Sequence, residues 1–335
     1  MIRIGASGWN YPTGPGSWNG IFYPARGGRP RGFDELTFYA RYFNTVEVNS
    51  TFYRPPTSAM TTRWAERTPR DFEFAVKLFQ KFTHPTMFNK AAGAAAGAQV
   101  HVDQDDVDQF QRALDPLAVA GKLGPLLVQF PSSFVDSPQT RDYLVRLLGA
   151  FREYQPAVEL RHRSWSDRIG ETLALLNEHG AAWVQIDEPK FRLSIRQNYL
   201  PNVESFYYMR LHGRNAAKWW KHDHRDERYD YQYSPAELQP FAETAGAVQR
   251  LVRKMYLYMN NHFASKAVVN ALELKHALGH DPEESLPPGL LERYPALREI
   301  PTRPPEPEST PAPTRRAQQV RKHDLLDVLV EDNED

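Results

Sequence analysis

The 335-residue chain contains no cysteine, which excludes disulfides, thiolate zinc sites and a cysteine nucleophile. It lacks any run approaching the ~18 apolar residues of a transmembrane helix, so no membrane partner is expected. No signal-peptide-like apolar stretch precedes the first strand-like segment, and the expectation is a cytoplasmic protein. No self-similarity recurs at a solenoid period. Charge of one sign is also missing: 41 Lys and Arg balance 41 Asp and Glu, so the whole chain gives no electrostatic argument for nucleic acid or a lipid surface. That balance is uneven along the chain. Residues 281–335 are Pro-rich and acidic, with PEPESTPAPT near the middle and EDNED at the end, which leaves 1–280 net basic. A segment of that composition buries too little apolar surface to order itself. The predicted division is therefore a folded domain over 1–280 and a mostly disordered tail over 281–335. Within the tail, Val320, Leu325, Leu326, Val328 and Leu329 give the pattern of a short helix over 319–330, which could dock on a protein partner or fray in solvent.

What the chain does have is eight stretches with strand alternation: IRIGASGW, TVEVNST, FEFAVKL, PLLVQFP, PAVELRH, AAWVQID, SFYYMRLHG and KMYLYMNN. Successive side chains point to opposite faces of a strand. Val46 and Val48 thus oppose Glu47 and Asn49, and Val158 and Leu160 oppose Glu159 and Arg161. The same phase sets Lys77 against Val76, Gln129 against Val128, Asp187 against Ile186, Arg210 and His212 against Leu211, and Asn260 against Met259. Between the stretches lie segments with apolar residues at three- and four-residue spacing, such as DDVDQFQRALDPLA and SKAVVNALELKHAL, and strand alternating with helix means a parallel sheet. Asp105, Ser137, Ser166 and Ser234 are candidate helix caps. The predicted fold is α/β, a single (β/α)8 TIM barrel over about Ile2 to Leu278 with the acidic tail appended. In that fold one strand face packs on helices, and the other faces the barrel interior and an active site at the C-terminal rim.

At these strand ends the chain resembles the YecE-like family, domain of unknown function 72. The resemblance rests on IGASGWNY, TVEVNSTFYRPP, Trp64 to Pro69, Phe72 to Lys77, the pair Thr83 and His84, KLGPLLVQFP, VELRHRSW, MRLHG and MNNHFASKAVVNA. It covers about Ile2 to Leu278 in family order and implies a TIM barrel; it brings no established reaction. The chain departs from the family pattern in the AAGAAAGA stretch near Ala91, in Met259 where an aromatic is usual, and in the long acidic tail.

The inward set brings Glu47, Glu159 and Asp187 against Lys77, Arg161 and Arg210, with His212, Asn49, Gln129 and Asn260 among them. Interleaved cations weaken the field that would hold divalent ions, so no cofactor is expected and a single metal on Glu47, Asp187 or His212 is disfavoured. Cations beside carboxylates suit a small anionic ligand. Lys77, Arg161 and Arg210 would clamp phosphate or carboxylate oxygens, while Glu47, Glu159, Asp187 and His212 supply acid and base. The competing structural reading is a satisfied ion-pair network.

Aromatic residues crowd the same rim. Trp9, Tyr53 and Trp165, with Tyr11, Trp18 and Phe52, fall just beyond strand ends, where they could stack on a sugar or a base or simply pack loops. The connection RNAAKWWKHDHRDERYDYQY after the seventh strand mixes Trp219 and Trp220 with basic groups that its acids dilute. Three readings follow: an enzyme of hydrolase, lyase or isomerase type acting on a phosphorylated or otherwise anionic sugar-like substrate, a nucleic-acid-binding or repair protein, and a non-catalytic binding module.

Overall fold

Alternating β-branched and aromatic residues form eight strands: β1 (Ile2–Ala6), β2 (Thr45–Val48), β3 (Glu73–Lys77), β4 (Leu123–Gln129), β5 (Pro156–Glu159), β6 (Ala182–Asp187), β7 (Phe206–Leu211) and β8 (Lys254–Met259). The computed structural model describes residues 1–93, 100–197 and 200–302. Every ladder is parallel, and the strand order is β1-β8-β7-β6-β5-β4-β3-β2. The sheet rolls into a nearly closed TIM barrel. At the remaining seam β1 and β2 share no ladder among the described residues. There the Tyr39 hydroxyl accepts from the Ala6 amide at 2.7 Å and donates to the Thr45 carbonyl at 3.1 Å, replacing a backbone contact with a side-chain one.

Return helices at Glu35–Tyr39, Ser58–Glu66, Gln104–Val119, Pro138–Ala150 and Ile169–Glu178 follow β1 to β5, and Pro235–Val248 and Lys266–Ala277 follow β7 and β8. The β6–β7 connection carries no helix among the described residues. Ser137 and Ser234 cap their helices with full capping boxes, which satisfy amides that the first helical turn leaves free. Asp103, two residues before the expected Asp105, does the same for Gln104–Val119. Ser166 lies inside the short helix Arg163–Asp167, where its hydroxyl donates to the Arg163 carbonyl. No helix among the described residues is long and apolar enough to cross a membrane.

The outer strand faces, including Val46, Phe74, Val76, Val128, Val158 and Leu257, are buried under these helices. Each side chain so removed from water contributes roughly 1.5–3 kcal/mol. The barrel interior is filled differently. Near its N-terminal end Glu73 accepts from Arg3 at 3.0 Å, Lys254 at 2.9 Å and Tyr256 at 2.5 Å, and above it Thr45 Oγ1 meets the Tyr258 hydroxyl at 2.6 Å. Barrel interiors are usually layered with branched apolar side chains; this one is closed below by an ion-paired, phenol-rich plug.

The boundary expected at residue 280 is corrected. Beyond it, Pro288–Arg293 is helical, and Leu286, Leu290, Leu297 and Ile300 are buried in the common core. The Tyr42 hydroxyl donates to the Ser285 carbonyl at 3.1 Å, and the Tyr294 hydroxyl to the Ala264 carbonyl at 2.6 Å. A Cβ on Gly289 would stand 2.4 Å from the Gly20 carbonyl oxygen, so this helix presses directly on the loop after β1. Composition averaged over 281–335 hid these widely spaced apolar anchors among prolines and acids. The rest of the tail, with the pattern over 319–330, lies outside the described residues, as do positions 94–99 of the Ala/Gly stretch; the helix Pro85–Ala91 precedes the latter.

Candidate active site at the barrel mouth

Paired residues in a parallel ladder share a face, so the register reads out the interior. Glu47 pairs with Ala75, Lys77 with Leu127, Gln129 with Glu159, and Arg210 with both Ile186 and Tyr258. Arg210, 1% exposed, is the hub. Its Nε and Nη2 grip the two Glu47 oxygens at 2.8 and 2.7 Å, the bidentate fork that makes arginine–carboxylate pairs strong. Its Nη1 donates to Glu159 Oε2 and, at 3.3 Å, to Gln129 Oε1. The Tyr208 hydroxyl completes Glu47 at 2.7 Å. Two residues beyond β5, Arg161 donates to Glu159 from Nε at 2.7 Å and reaches Glu188 Oε2 at 3.2 Å. His212 Nε2 lies 3.3 Å from Arg161 Nη2 and 3.4 Å from Arg210 Nη1, while its Nδ1 is 2.7 Å from Asn260 Nδ2. Lys77 stands at the end of β3 with its Nζ 4.1 Å from the Phe52 ring centroid. Asn49, just past β2, keeps a buried Oδ1 with no hydrogen-bond partner among the described residues.

Two expected members are elsewhere. Asp187 pairs in the ladder with Leu211, on the helix-facing side, where Arg214 Nε and Nη2 donate to it at 2.8 and 3.0 Å and the Tyr233 hydroxyl at 2.7 Å. The inner face of β6 is instead Ala182, Val184 and Ile186, continued by Glu188. Trp165 is fully buried, its Nε1 donating to the Phe134 carbonyl at 2.8 Å and its ring stacked on Phe134, because the short helix Arg163–Asp167 turns it into the core. Trp18 is likewise buried, its Nε1 donating to the His262 carbonyl at 2.7 Å. Trp9 is half-buried edge-on to Trp64, and Tyr53 is 45% exposed beside Phe52.

The family model for "Protein of unknown function DUF72" matches residues 3–293. The chain belongs to the DUF72 family. It is 27% identical to UPF0759 protein YunF of Bacillus subtilis over 290 residues, 83% of this chain and 95% of that protein. It is 30% identical to UPF0759 protein YecE of Escherichia coli K12 over 192 residues, 56% of this chain and 59% of YecE. Among solved structures, a DUF72 protein of Thermotoga maritima aligns with TM-score 0.68 at 31% identity, covering 83% of this chain and 99% of that one. A DUF72 protein of Enterococcus faecalis, at 23% identity and TM-score 0.69, covers 83% and 96% and shows the shared fold.

The electrostatics of this DUF72 mouth sort its groups into held and available. Burial raises the Glu47 and Glu159 carboxyls, but Arg210 beside Glu47, and Arg161 with Arg210 beside Glu159, outweigh it and hold both below the usual range. Both remain carboxylates. Burial, then Arg210, press His212 down to about 4, so its imidazole is neutral near pH 7. Glu188 goes the other way: burial raises its carboxyl more than Arg161 lowers it. Lys77 is pressed down to about 7 by burial and then by Arg210.

Glu188 and His84 were not singled out in the sequence. His84 stands edge-on to the Phe52 ring with centroids 4.8 Å apart, its Nδ1 2.8 Å from Thr83 Oγ1. Burial and then Lys77 lower it to about 3, and both side chains pack on the Phe52 ring. The signal for Glu188 was the apolar alternation Ala182, Val184, Ile186, which continues to it; His84 had only its place in a motif. Among the described residues no group of three or more His, Asp and Glu side chains is arranged to hold a metal. A surface groove bounded by Asp108, Arg112, Asp115 and Tyr154 lies at the opposite, N-terminal end of the barrel, away from the C-terminal rim where active sites of this fold sit.

Proposed function

We propose that the barrel mouth is the active site of an enzyme acting on a small, sugar-like substrate that carries phosphate or another anionic group, without a resident metal. The observation that carries this reading is the position of Lys77. Arg161 and Arg210 are each gripped by two carboxylates, yet no carboxylate oxygen among the described residues lies within ion-pair distance of Lys77. Its amine is the charge left over for a ligand. Arg210 then serves as the brace that fixes Glu47 and Glu159. Arg161, whose side chain is partly solvent-exposed, ties Glu159 to Glu188. Acid–base work falls to groups whose environments push their proton affinities apart, the raised carboxyl of Glu188 against the lowered amine of Lys77 and the neutral imidazoles of His212 and His84. Asn49 and Asn260 offer amide groups to substrate hydroxyls, and Trp9 and Tyr53 offer rings for a sugar face.

The nucleic-acid reading has less support. In the loop after β7, Lys218 pairs with Glu227 at 3.0 Å and Arg228 with His222 at 3.0 Å, and Trp219 is buried with its ring edge-on to His212 at 6.5 Å. Lys218 is neutralised within its own loop and the loop's acids dilute the rest of its positive charge, which weakens the path for a phosphate backbone.

The test is ligand-dependent stability. Low-millimolar phosphate and sugar phosphates should raise the melting temperature above chloride at matched ionic strength, since a ligand that binds only the folded state stabilises it. Lys77→Met should remove the response. A wild-type protein indifferent to all of them would sink the reading.

A further inference from the structure

Lys77 is placed to react as well as to bind. The residue is 9% exposed, one wall of its surroundings is the Phe52 ring, and it has no carboxylate partner among the described residues. Two guanidinium groups, Arg210 and Arg161, and two carboxylates already bound to them, Glu47 and Glu159, act on it through space. The imidazole of His84, packed on the same Phe52 ring, is a further titratable neighbour. An amine that is desolvated and set beside other cations is a nucleophile at neutral pH, because much of it is unprotonated there. The shift of its ammonium to about 7 agrees with that placement.

Resting on the active-site reading above, we propose that the Lys77 amine condenses with the carbonyl carbon of a ketose- or aldose-type substrate to form a Schiff base. The nitrogen lone pair forms the C–N bond while the carbonyl π pair moves to oxygen. One N–H proton passes to that oxygen, giving a carbinolamine. The C–O bond then breaks, the second N–H proton leaves with the oxygen as water, and the nitrogen closes the C=N bond. Amine plus carbonyl give imine plus water, with no oxidant, reductant or cofactor consumed. Once protonated, the imine draws electrons from the neighbouring carbon, which is the activation an isomerase or lyase of this substrate class needs.

The experiment incubates the full chain with dihydroxyacetone phosphate and sodium borohydride and maps adducts by peptide mass spectrometry; the melting temperature is followed separately without reductant. The expected result is a reduced adduct concentrated on Lys77 and absent from Lys77→Arg, which keeps the charge and loses the nucleophile. Adducts spread over exposed lysines such as Lys190 and Lys221, with Lys77 unmodified, would overturn the proposal. A melting shift without an adduct on Lys77 would overturn the Schiff base and leave the anion-binding mouth standing. Neither shift nor adduct would count against both. In the wild type, acetic anhydride labelling across pH gives a reading independent of any variant's folding. Half-maximal labelling of Lys77 near neutrality supports the proposal, and labelling that begins only in the range of ordinary lysines overturns it.

Discussion

Replacing Lys77 by methionine keeps the stem length and removes the charge, so it isolates the energetic consequence of holding an ammonium in the mouth. The ordinary lysine value of 10.5 falls to about 7 in the folded chain. Each unit is about 1.36 kcal/mol, so the protonated form is penalised by at most ~5 kcal/mol, and less once the protein relaxes around it. The sign follows from proton binding. Between the two values the unfolded chain binds the Lys77 proton more tightly than the folded one, so stability rises with pH through that window. The penalty is complete below the folded value and gone above the unfolded one. Lys77→Met should therefore be more stable than wild type at about pH 6, by several kcal/mol, and the gain should shrink towards zero by about pH 10. Urea denaturation at both ends and midway measures it; the difference between the two proteins cancels the other titrations. Lys77→Arg should show no such gain, since its charge remains. A methionine variant that is less stable than wild type at the acidic end would refute the reasoning. It would mean that attraction to Glu47 and Glu159 outweighs desolvation and the repulsion of Arg210, Arg161 and any charge on His84.

Arg210→Met orphans the buried Glu47 carboxylate and leaves Glu159 with Arg161 as its ion-pair partner; it should lower stability by ~3–5 kcal/mol, read by chemical denaturation, and a neutral effect would show that the network is not held by this guanidinium. Tyr39→Phe leaves the Ala6 amide without its acceptor and should lower stability by roughly 1–3 kcal/mol, with faster hydrogen exchange at Ala6 than elsewhere in β1. Truncation after His280 removes the buried Leu286, Leu290, Leu297 and Ile300 and should lower the melting temperature by several degrees, since each such side chain contributes roughly 1.5–3 kcal/mol; an unchanged melt would mean these contacts are dispensable.

Strand alternation made the barrel legible because its period is rigid: once Val46 and Val48 face the helices, Glu47 has only the interior left. The same logic placed Lys77, Gln129, Glu159, Arg161, Arg210, His212 and Asn260 on one face. It failed at the end of β6, where Asp187 and Glu188 are adjacent acids and either phase puts a carboxylate inward. Only the register with β7, Ile186 opposite Arg210, decides between them. Alternation also assigns faces without assigning partners. That Arg210 bridges Glu47 and Glu159 while Lys77 has no ion pair depends on side-chain reach across the barrel, which no local pattern contains. Trp165 was misplaced for a related reason: position after a strand end says nothing of the direction in which a five-residue helix turns its ring. The buried stretch after His280 was lost to averaging, because four apolar anchors spread over fifteen residues do not change a composition dominated by Pro, Asp and Glu.

The order of the ladders has a consequence for how the chain is made. Among the described residues β1 is laddered only to β8, from Ile2 opposite Met255 to Ala6 opposite Met259, and it meets its sequence neighbour β2 through the Tyr39 phenol. Within the barrel, the strand made first is therefore without a backbone partner until the barrel strand made last has followed it, while β2 to β7 can zip side by side as they emerge. Non-local pairing of this kind is slow because a long loop must close before any contact rewards it. Until then Ile2, Ile4 and the unpaired amides of β1 form an exposed edge on the nascent chain, and chaperone capture or pairing with another copy would act there.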